Sequence, residues 1–377
     1  MQRNEELLKE MEASRQEALD LLMELGKIPA PSHQEEKRAL FCKQWLEAQG
    51  AEGVYIDEAL NVIYPIGCIA DNPLVVFAAH TDVVFPDTEE LPMRIENGRL
   101  YCPGIGDDTL HLVALLMAAK YITKHKLVPK NCGLLLVANS CEEGLGNLKG
   151  TRALMDAYGH RITEFITFDG PGTNLATKAV GSKRYKVEIQ TEGGHSYGRF
   201  GNRNAIAYLA SLINTLYTIK VPNRCKTTYN VGTISGGTSV NTIAQNAEML
   251  YEFRSDNRED LAEMEAHFHA ALDFYRTKGI GVNCTLVGDR PCAMDVDEKR
   301  HNALIEMATS ATEIYRGFTP GQYSASTDCN IPLSMGIPSV MVPCGLGGGA
   351  HTREEYIEID SMVPGIQMAT AMMLHYM

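Results

Sequence analysis

The chain has 377 residues, of which 45% are hydrophobic and 21% charged, a composition typical of globular proteins. Its formal net charge of −13 argues against nucleic acid or an anionic membrane surface as a partner, because both require clustered lysine and arginine. No apolar stretch approaches the roughly 18 residues of a membrane-spanning helix, so no membrane partner is expected. The length exceeds what one hydrophobic core supports and predicts two domains.

The amino-terminal region is predicted to be helical. Residues 3–25 and 34–49 have amphipathic spacing, and the first region is expected to close at Gly26, before IPAPS. This region lacks the apolar core and cleavage site of a signal peptide. The ten cysteines are scattered without a CxxC pair, which is typical of reduced thiols. The protein is therefore expected in the cytoplasm.

Three short apolar runs predict strands that are buried on both faces of a parallel sheet. The runs are LVVFAA before His80, GLLLVANSC before Glu142 and FITF before Asp169. Helical patterns at 108–123 and 147–157 separate them and give a βαβ order. In open α/β sheets, ligands bind beyond the carboxyl ends of the strands. The polar side chains that follow these runs are therefore expected to converge on one crevice.

Residues 178–290 have a different pattern. Strand and helix candidates follow in the order strand, helix, strand, strand, helix, strand, which is typical of a ferredoxin-like unit. This segment is predicted to form a second, smaller domain. Helices around 301–316 and 361–376, with a short strand between them, restore the α/β alternation. Segments 1–177 and 291–377 are therefore expected to form one mainly parallel α/β domain around the insert.

The polar residues near these strand ends have the chemistry of a two-metal site. Zinc binds imidazole nitrogen and carboxylate oxygen, and a metal pair needs one carboxylate that spans both ions. Asp107 in PGIGDDTLH is the candidate bridge because the glycines beside it permit a tight turn, and Asp108 is the weaker alternative. Asp82 is placed to accept a hydrogen bond from the second ring nitrogen of His80, which fixes the tautomer of a ligand.

Glu142 and Glu143 follow one predicted strand and precede the turn sequence GLGNLKG. A turn lets consecutive side chains point in different directions, so one carboxylate can bind metal while the other faces the metal-bound water. Glu143 is assigned as the ligand and Glu142 as the general base. An adjacent pair of carboxylates is otherwise typical of a solvated loop. The assignment therefore depends on the motifs that accompany the pair.

Three residues of the inserted segment are candidates for binding a substrate carboxylate: Asn241 in TSVNT, Arg254 in YEFRS and Arg290 in GDRPC. A guanidinium group suits this role because it binds a carboxylate in bidentate geometry. Both arginines end predicted strands, where solvated charge is also common. Arg254 alternates with Glu252, as in a surface ladder of charges. Both interpretations stay open.

Taken together, these motifs resemble a known enzyme family. HTD, GIGDD, CEEGLG, FDG, GGHS, TSVNTIA, a late STD and AHTREEYIEI occur in the order found in the di-zinc exopeptidase and deacylase family of peptidase T, carboxypeptidase G and aminoacylase. The resemblance covers nearly the whole chain. It implies that His80 and Asp169 hold one zinc ion, that Glu143 and His351 hold the other, and that Asp107 bridges both. Cobalt or manganese in place of zinc stays open.

The resemblance also implies an activity, the hydrolysis of an amide bond. Glu142 is expected to take a proton from a metal-bridging water and to give it to the leaving amine. Aspartate at position 169 tends to accompany aminopeptidases and dipeptidases in the family, which favours small di- or tripeptides as substrates. An N-acyl-amino-acid deacylase or a carboxypeptidase that uses the same site is the alternative.

His195 in EGGHSYGRFGN is implied to stabilise the developing oxyanion, often in the active site of a partner subunit. The inserted segment is therefore expected to act as a lid and dimerisation domain in a homodimer. Thr109, Leu110 and His111 depart from the family pattern, since many relatives carry a lysine and glycines there. This departure leaves the local wall of the pocket, and with it the substrate, open.

Overall fold

Two units divide the chain in the computed structural model, which describes residues 2–377. The larger unit comprises Met1–Ala179 with Met294–Met377, and the inserted unit comprises Val180–Ala293. The boundaries predicted from the sequence, after residues 177 and 290, lie two and three residues before these divisions.

The secondary structure alternates between helices and strands for most of the chain. The helices are α1 (Glu5–Ala13), α2 (Arg15–Lys27), α3 (Glu36–Ala48), α4 (Leu110–Lys124), α5 (Lys149–Tyr158), α6 (Ala205–Leu216), α7 (Arg258–Thr277), α8 (Glu298–Arg316), α9 (Asn330–Ser334) and α10 (Met362–Leu374). The strands are β1 (Tyr55–Ile56), β2 (Val62–Ile66), β3 (Leu74–His80), β4 (Arg94–Glu96), β5 (Arg99–Tyr101), β6 (Gly133–Asn139), β7 (Ile162–Phe168), β8 (Asn174–Ala179), β9 (Gly181–Gln190), β10 (Gly194–His195), β11 (Thr227–Gly236), β12 (Thr242–Ile243), β13 (Asn246–Ser255), β14 (Gly281–Arg290), β15 (Gly321–Ala325), β16 (Ser339–Val342), β17 (Gly347–Gly348) and β18 (Tyr356–Glu358). Across residues 2–377, every helix is too short or too polar to cross a lipid bilayer.

An eight-stranded sheet forms the centre of the larger unit. Its strand order is β1-β2-β6-β3-β7-β16-β8-β15, and the four central strands from β6 to β16 run parallel. Every residue of β3 and β6 is buried, as their unbroken apolar sequences predict. The prediction of a mainly parallel catalytic sheet is confirmed, with antiparallel pairs at β1, β2 and β8.

The ends of three neighbouring strands place the candidate residues along one edge of this sheet. His80 ends β3 and pairs in register with Asn139, the last residue of β6. The Glu142–Glu143 pair follows β6, and Asp169 comes directly after β7. Since the carboxyl ends of parallel strands meet at the same edge, the expected convergence of these side chains follows from the topology.

The inserted unit has the predicted ferredoxin-like order of strand, helix, strand, strand, helix, strand. Its antiparallel sheet has the strand order β11-β13-β9-β14, and α6 and α7 supply its helices. Alternate residues of β13 are buried, so one face of the sheet packs on the helices. Tyr251 and Phe268 stack in this core with ring centroids 5.3 Å apart. The unit therefore has a hydrophobic core of its own.

The amino-terminal helical region differs from the prediction of one helix closed by Gly26. The structure has two helices that meet at Ser14, and the second passes through Gly26 to Lys27. A Cβ atom on Gly26 would lie 2.9 Å from Met93 Cε and 3.0 Å from Ile105 Cδ1. The prediction of one continuous helix was wrong because the chain breaks at Ser14, whereas the predicted end at Gly26 lies one residue before the observed end at Lys27. Gly26 itself permits close packing against the helix.

Candidate metal centre

His80 is fully buried at the end of β3, with both ring nitrogens engaged. Its Nδ1 lies 3.0 Å from the main-chain oxygen of Asp82 and 3.3 Å from Asp82 Oδ1. Its Nε2 lies 3.0 Å from Asp107 Oδ1 and 3.8 Å from Asp169 Oδ1. The nearest acceptor for Nδ1 is therefore the main chain of Asp82, where the sequence predicted its carboxylate. In either case Nε2 is directed at the carboxylates.

Asp107 directs its two carboxylate oxygens at two different histidines. Oδ1 lies 3.0 Å from His80 Nε2, and Oδ2 lies 3.2 Å from His351 Nε2. Asp107 interrupts the π-turn Ile105–Thr109 with non-helical angles, φ −117° and ψ 89°, and its peptide bond to Asp108 is cis. Burial opposes ionisation, but hydrogen bonds with His351 and His80 hold the pKa of Asp107 well below its usual value. A carboxylate shared in this way has the geometry of a bridging ligand.

His351 and Glu143 complete the cluster on the other side of Asp107. His351 Nε2 lies 3.3 Å from Glu143 Oε1, which is buried and makes no hydrogen bond. The neighbouring carboxylates of Asp107 and Glu143 raise the pKa of His351 to about 10. Burial raises the pKa of Glu143. The two carboxylates beside His351 Nε2 favour positive charge at this position.

Glu142 stands next to Glu143 on a sharply turned segment. Cys141 has a positive φ of 59°, so the chain turns immediately before the pair, and Gly144, with φ of 47°, begins the turn that the sequence predicted after it. Glu142 is 6% exposed and Glu143 is 5% exposed. Ligand atoms of His80, Glu142 and Glu143 all lie within 4.8 Å of one another. Glu142 is therefore beside the cluster of candidate ligands and shielded from bulk water.

Asp82 holds this segment in place with its carboxylate. Oδ1 accepts the N–H of Glu142 and Oδ2 accepts the N–H of Glu143, each at 2.9 Å. Ser32 Oγ donates a third hydrogen bond of 2.6 Å to Oδ2. The main-chain oxygen of Asp82 also lies within hydrogen-bond distance of His80 Nδ1. Asp82 therefore connects the segment after β3 with the segment after β6.

Asp108, the alternative bridge, is fully buried and engaged with other groups. Its Oδ2 accepts the main-chain N–H of His80 at 2.8 Å, and its Oδ1 lies 2.8 Å from His111 Nδ1. Burial raises the pKa of Asp108 well above its usual value and lowers the pKa of His111 to about 3. Asp108 thus holds the backbone of one candidate ligand, whereas Asp107 lies between two of them.

The donor atoms at this edge fit a pair of divalent cations. One group of ligand atoms comes from His80, Asp107, Asp108 and Asp169, and a second comes from Asp107, Glu143 and His351, each within 4.8 Å. Imidazole nitrogen and carboxylate oxygen are the ligands that zinc and related metals take in hydrolytic sites. Buried carboxylates at this density require compensating positive charge, and Glu143 Oε1 lacks a hydrogen-bond partner.

A comparison with protein families agrees with this geometry. Residues 76–375 match the model of peptidase family M20/M25/M40. The chain belongs to this family. The resemblance seen in the order of its motifs is thereby confirmed.

Curated relatives of this M20 chain match parts of it. A Pyrococcus abyssi protein named as a LysW-lysine/LysW-ornithine hydrolase is 35% identical over 144 residues, which cover 38% of each chain. A succinyl-diaminopimelate desuccinylase from Bordetella bronchiseptica is 27% identical over 225 residues, 54% of this chain and 58% of that one. The chain therefore spans less than two thirds of the length of these relatives.

Solved structures of other proteins share the M20 fold over nearly the whole chain. A tripeptidase from Staphylococcus aureus has a TM-score of 0.77 at 20% identity and covers 96% of this chain and 98% of its own. A di-peptidase from Saccharomyces cerevisiae has a TM-score of 0.76 at 16% identity, with 98% of both chains covered. At this level of identity the likeness shows the fold.

Two buried carboxylates of this M20 site were not assigned a role from the sequence. Glu355 accepts the main-chain N–H groups of Gly104, Gly106 and Asp107 at 2.8–2.9 Å. Asp328 accepts a 2.6 Å hydrogen bond from Asn139 Nδ2 and another from the Thr151 hydroxyl. Both lie in motifs that carried the resemblance, AHTREEYIEI and STD, but their partners are more than 170 residues away in sequence. Sequence spacing could not identify such partners.

His195 belongs to a two-stranded ribbon of the inserted unit, and Asn241 directly precedes the second strand of that ribbon. His195 is exposed, and its Nδ1 accepts the N–H groups of Tyr197 at 3.3 Å and Gly198 at 3.2 Å. The proton of the neutral ring therefore lies on Nε2, which makes that atom a hydrogen-bond donor. The main-chain oxygen of Asn241 accepts the Ser196 N–H at 2.9 Å and so keeps Asn241 beside the His195 turn.

Arg254 and Arg290 occupy one rung of the sheet in the inserted unit. Both pair in register with Ser182 on β9, from the two strands that flank it. Arg254 donates two 3.1 Å hydrogen bonds to Glu252, and Arg290 is 4% exposed. Burial and the charges of Arg290 and Arg254 lower the pKa of Arg184 on the same face. This face of the sheet therefore concentrates positive charge. The pairing of Arg254 with Glu252 is also consistent with a surface ladder of charges.

Proposed function

We propose that this protein is a di-metal peptidase of the M20 family that hydrolyses amide bonds in small peptides, of di- or tripeptide or aminopeptidase type. The observation that carries the proposal is the position of Asp107, whose two oxygens face His80 and His351 at 3.0 and 3.2 Å. A structural ion pair needs one histidine, whereas a two-metal site needs a carboxylate between two sets of ligands.

The proposed ligands divide between two ions that share Asp107. His80 and Asp169 hold one ion, and Glu143 and His351 hold the other. Zinc is the proposed metal because of the imidazole and carboxylate donors, although cobalt and manganese accept the same set. When bound, the ions polarise the scissile carbonyl and lower the pKa of a water molecule.

Glu142 is proposed to move the proton. Its carboxylate accepts the proton of the attacking water and then delivers it to the nitrogen of the leaving amine, so one residue acts as base and then as acid. The two hydrogen bonds from Glu142 N and Glu143 N to Asp82 support this role, because they keep the base at a constant distance from the ligand beside it. Burial of Glu142 also limits proton exchange with bulk water.

His195 is proposed to donate its Nε2 proton to the oxyanion that forms during attack, in the active site of a partner subunit. The tautomer supports this role, since two backbone amides occupy Nδ1. The proposal requires a homodimer. Mixing the inactive variants His195→Ala and Glu142→Gln should then restore activity, because one site of a mixed dimer regains both residues. No restoration on mixing, with dimers confirmed by sedimentation, would contradict a role across subunits.

The proposed substrate carries a free carboxylate that Asn241, Arg254 and Arg290 bind. The concentration of guanidinium groups opposite Ser182 supports this, since arginines pair with carboxylates in bidentate geometry. The relatives of the chain favour a second candidate, an N-acyl-amino-acid amidohydrolase, because a desuccinylase is among them. A carboxypeptidase from the same site also satisfies this chemistry.

The cell compartment and other partners follow from composition. We propose a cytoplasmic location because the ten cysteines are free thiols, as expected in a reducing compartment. Nucleic acid is not a proposed partner because the net charge is −13.

One matched substrate panel tests the proposed function. The panel contains free dipeptides, free tripeptides and the N-acetylated and N-succinylated forms of the same compounds, with zinc-loaded protein and Glu142→Gln as control. Cleavage restricted to the free peptides is the expected result. Cleavage restricted to the acylated forms would move the assignment to a deacylase. Equal rates for the protein and the Glu142→Gln control would contradict the catalytic site.

A further inference from the structure

Arg38 on α3 is a fully buried arginine whose partners are main-chain and hydroxyl oxygens. Its Nε donates to Ile28 O at 2.8 Å, and its Nη1 donates to Thr81 O at 3.0 Å and to Thr109 Oγ1 at 3.2 Å. Its Nη2 makes no hydrogen bond, and none of these three hydrogen bonds of Arg38 ends on a carboxylate. Burying a guanidinium without a carboxylate partner is costly, so the position of this charge needs an explanation.

The two threonines that Arg38 contacts belong to the two segments that carry proposed metal ligands. Thr81 lies between His80 and Asp82, and its N–H and hydroxyl both donate to Asn139 O at the end of β6, at 2.8 and 3.0 Å. Thr109 ends the π-turn that carries Asp107, and its hydroxyl donates to Gly104 O at 2.6 Å. One guanidinium nitrogen therefore connects the segment of His80 with the turn of Asp107.

The charge of Arg38 also interacts with buried acidic groups. Asp82 and Asp108 are each fully buried. Burial lowers the pKa of Arg38, and nearby groups oppose that effect, first Cys42 and Cys102 and then Asp82 and Asp108. Guanidinium remains protonated in proteins, so Arg38 provides a permanent positive charge beside carboxylates that otherwise repel one another.

We propose that Arg38 is a positioning residue for the metal centre, which sets the separation between His80 and Asp107 before any cation binds. This role rests on the proposed di-metal function. Arg38 does not touch the reacting atoms, since its hydrogen bonds all end on Ile28, Thr81 and Thr109. Its effect is on the affinity and geometry of the site.

The alternative is a purely structural role, in which Arg38 only anchors α3 to the sheet. An anchor of this kind contributes to the stability of the unit but not specifically to metal binding. Arg161 offers a matched control, because it also donates to main-chain oxygens, Asn72 O at 3.0 Å and Ile69 O at 2.6 Å. Arg161 precedes β7 and so lies at the opposite, amino end of the strands.

The test compares zinc affinity in Arg38→Lys, Thr109→Val and Arg161→Lys with that of the unaltered protein. Lysine keeps the charge of residue 38 but reaches one acceptor at a time, and valine removes the hydroxyl of residue 109 at nearly constant shape. Apo protein is titrated with zinc against a chromophoric chelator, and urea unfolding of the apo form gives the stability of each variant.

We expect Arg38→Lys and Thr109→Val to bind zinc roughly 10–100-fold more weakly, the usual effect of losing a group that orients metal ligands. Arg161→Lys should lose stability without losing zinc affinity. Arg38→Lys and Thr109→Val affinities equal to that of the unaltered protein would overturn the inference, and if Arg38→Lys does not fold, Thr109→Val decides alone. An unaltered protein that takes up no pair of zinc ions would instead contradict the di-metal function.

Discussion

Glu142 and Glu143 are chemically identical neighbours to which the backbone gives different surroundings. Glu143 Oε1 lies 3.3 Å from His351 Nε2, on the side of the cluster that includes Asp107. Glu142 groups with His80 and Glu143 but not with His351. The turn at Cys141, with φ of 59°, comes directly before the pair. Identity of side chain therefore does not imply identity of role.

Substitution of each glutamate by glutamine should separate these roles. Glu142→Gln should reduce kcat by roughly 10²–10⁴-fold, the usual contribution of a general acid–base group, with metal content unchanged. Glu143→Gln should reduce metal content, because an amide is a weaker ligand than a carboxylate. Peptide hydrolysis and metal analysis of the dialysed variants measure the two effects. Loss of metal from Glu142→Gln would reverse the assignment of ligand and base.

Among the structural elements, the turn that ends at Asp107 depends on the single carboxylate of Glu355. It accepts three main-chain N–H groups between Gly104 and Asp107, and its own main-chain oxygen accepts the N–H of Cys102 at 3.1 Å. Glu355 lies four residues after His351. The turn that carries the proposed bridge is therefore fastened to the segment that carries His351.

Removing the Glu355 carboxylate should weaken the fold locally. Glu355→Ala leaves three buried N–H groups without an acceptor, which should lower the free energy of unfolding by roughly 3 kcal/mol. Urea unfolding of the apo protein measures the change. Glu354→Ala is the matched control, since Glu354 is exposed and pairs with exposed Arg94. Equal effects of the two substitutions would show that the turn does not depend on Glu355.

Asp328 connects β6 with α5, and its burial makes this connection sensitive to pH. Its oxygens accept from Asn139 Nδ2 and from the Thr151 hydroxyl. Burial raises the pKa of Asp328 from 3.8 to about 6. A carboxyl whose pKa is raised on folding stabilises the fold below its unfolded pKa, and this contribution is lost as the pH rises through the folded pKa. The affected window is therefore about pH 4 to 6.

Asp328→Asn should remove this dependence. Asparagine cannot ionise. The Asn139 side-chain amide can flip so that its Oδ1, which has no hydrogen-bond partner, accepts a hydrogen bond from the amide introduced at position 328. Relative to the variant, the unaltered apo protein should lose roughly 2 kcal/mol of unfolding free energy between pH 4 and pH 7. Urea unfolding across this range measures the difference. Parallel pH profiles of the two proteins would contradict the raised pKa.

Elements that depend on local pattern were predictable from the sequence, and features that depend on distant contacts were not. The apolar runs of β3, β6 and β7 predicted buried parallel strands, and the strand ends then indicated where the site lies. The main-chain acceptor of His80 Nδ1 and the buried guanidinium of Arg38 were missed. No sequence period marks such contacts, because they join segments whose separation depends on the complete fold.

At the scale of the whole molecule, the proposed ligands all belong to the larger unit. His80, Asp107, Glu143 and Asp169 lie within Met1–Ala179, and His351 lies within Met294–Met377. The two segments meet in one sheet, since β16 pairs with β7 in parallel. The inserted unit has a separate core and supplies His195, Asn241, Arg254 and Arg290. Metal binding and substrate binding are thus assigned mainly to different units.

This division predicts that metal binding stabilises one unit selectively. A ligand that binds only the folded state adds about 4 kcal/mol of stability at a thousand times its dissociation constant. Zinc added to the apo protein should therefore slow amide hydrogen exchange at the ends of β3, β6 and β7 and around His351, since their opening requires release of the ion. Exchange in β9, β13 and α7 should be unchanged, and these elements serve as the internal control. Equal protection in both units would contradict a metal centre built from the larger unit, because the inserted unit contributes no ligand to it.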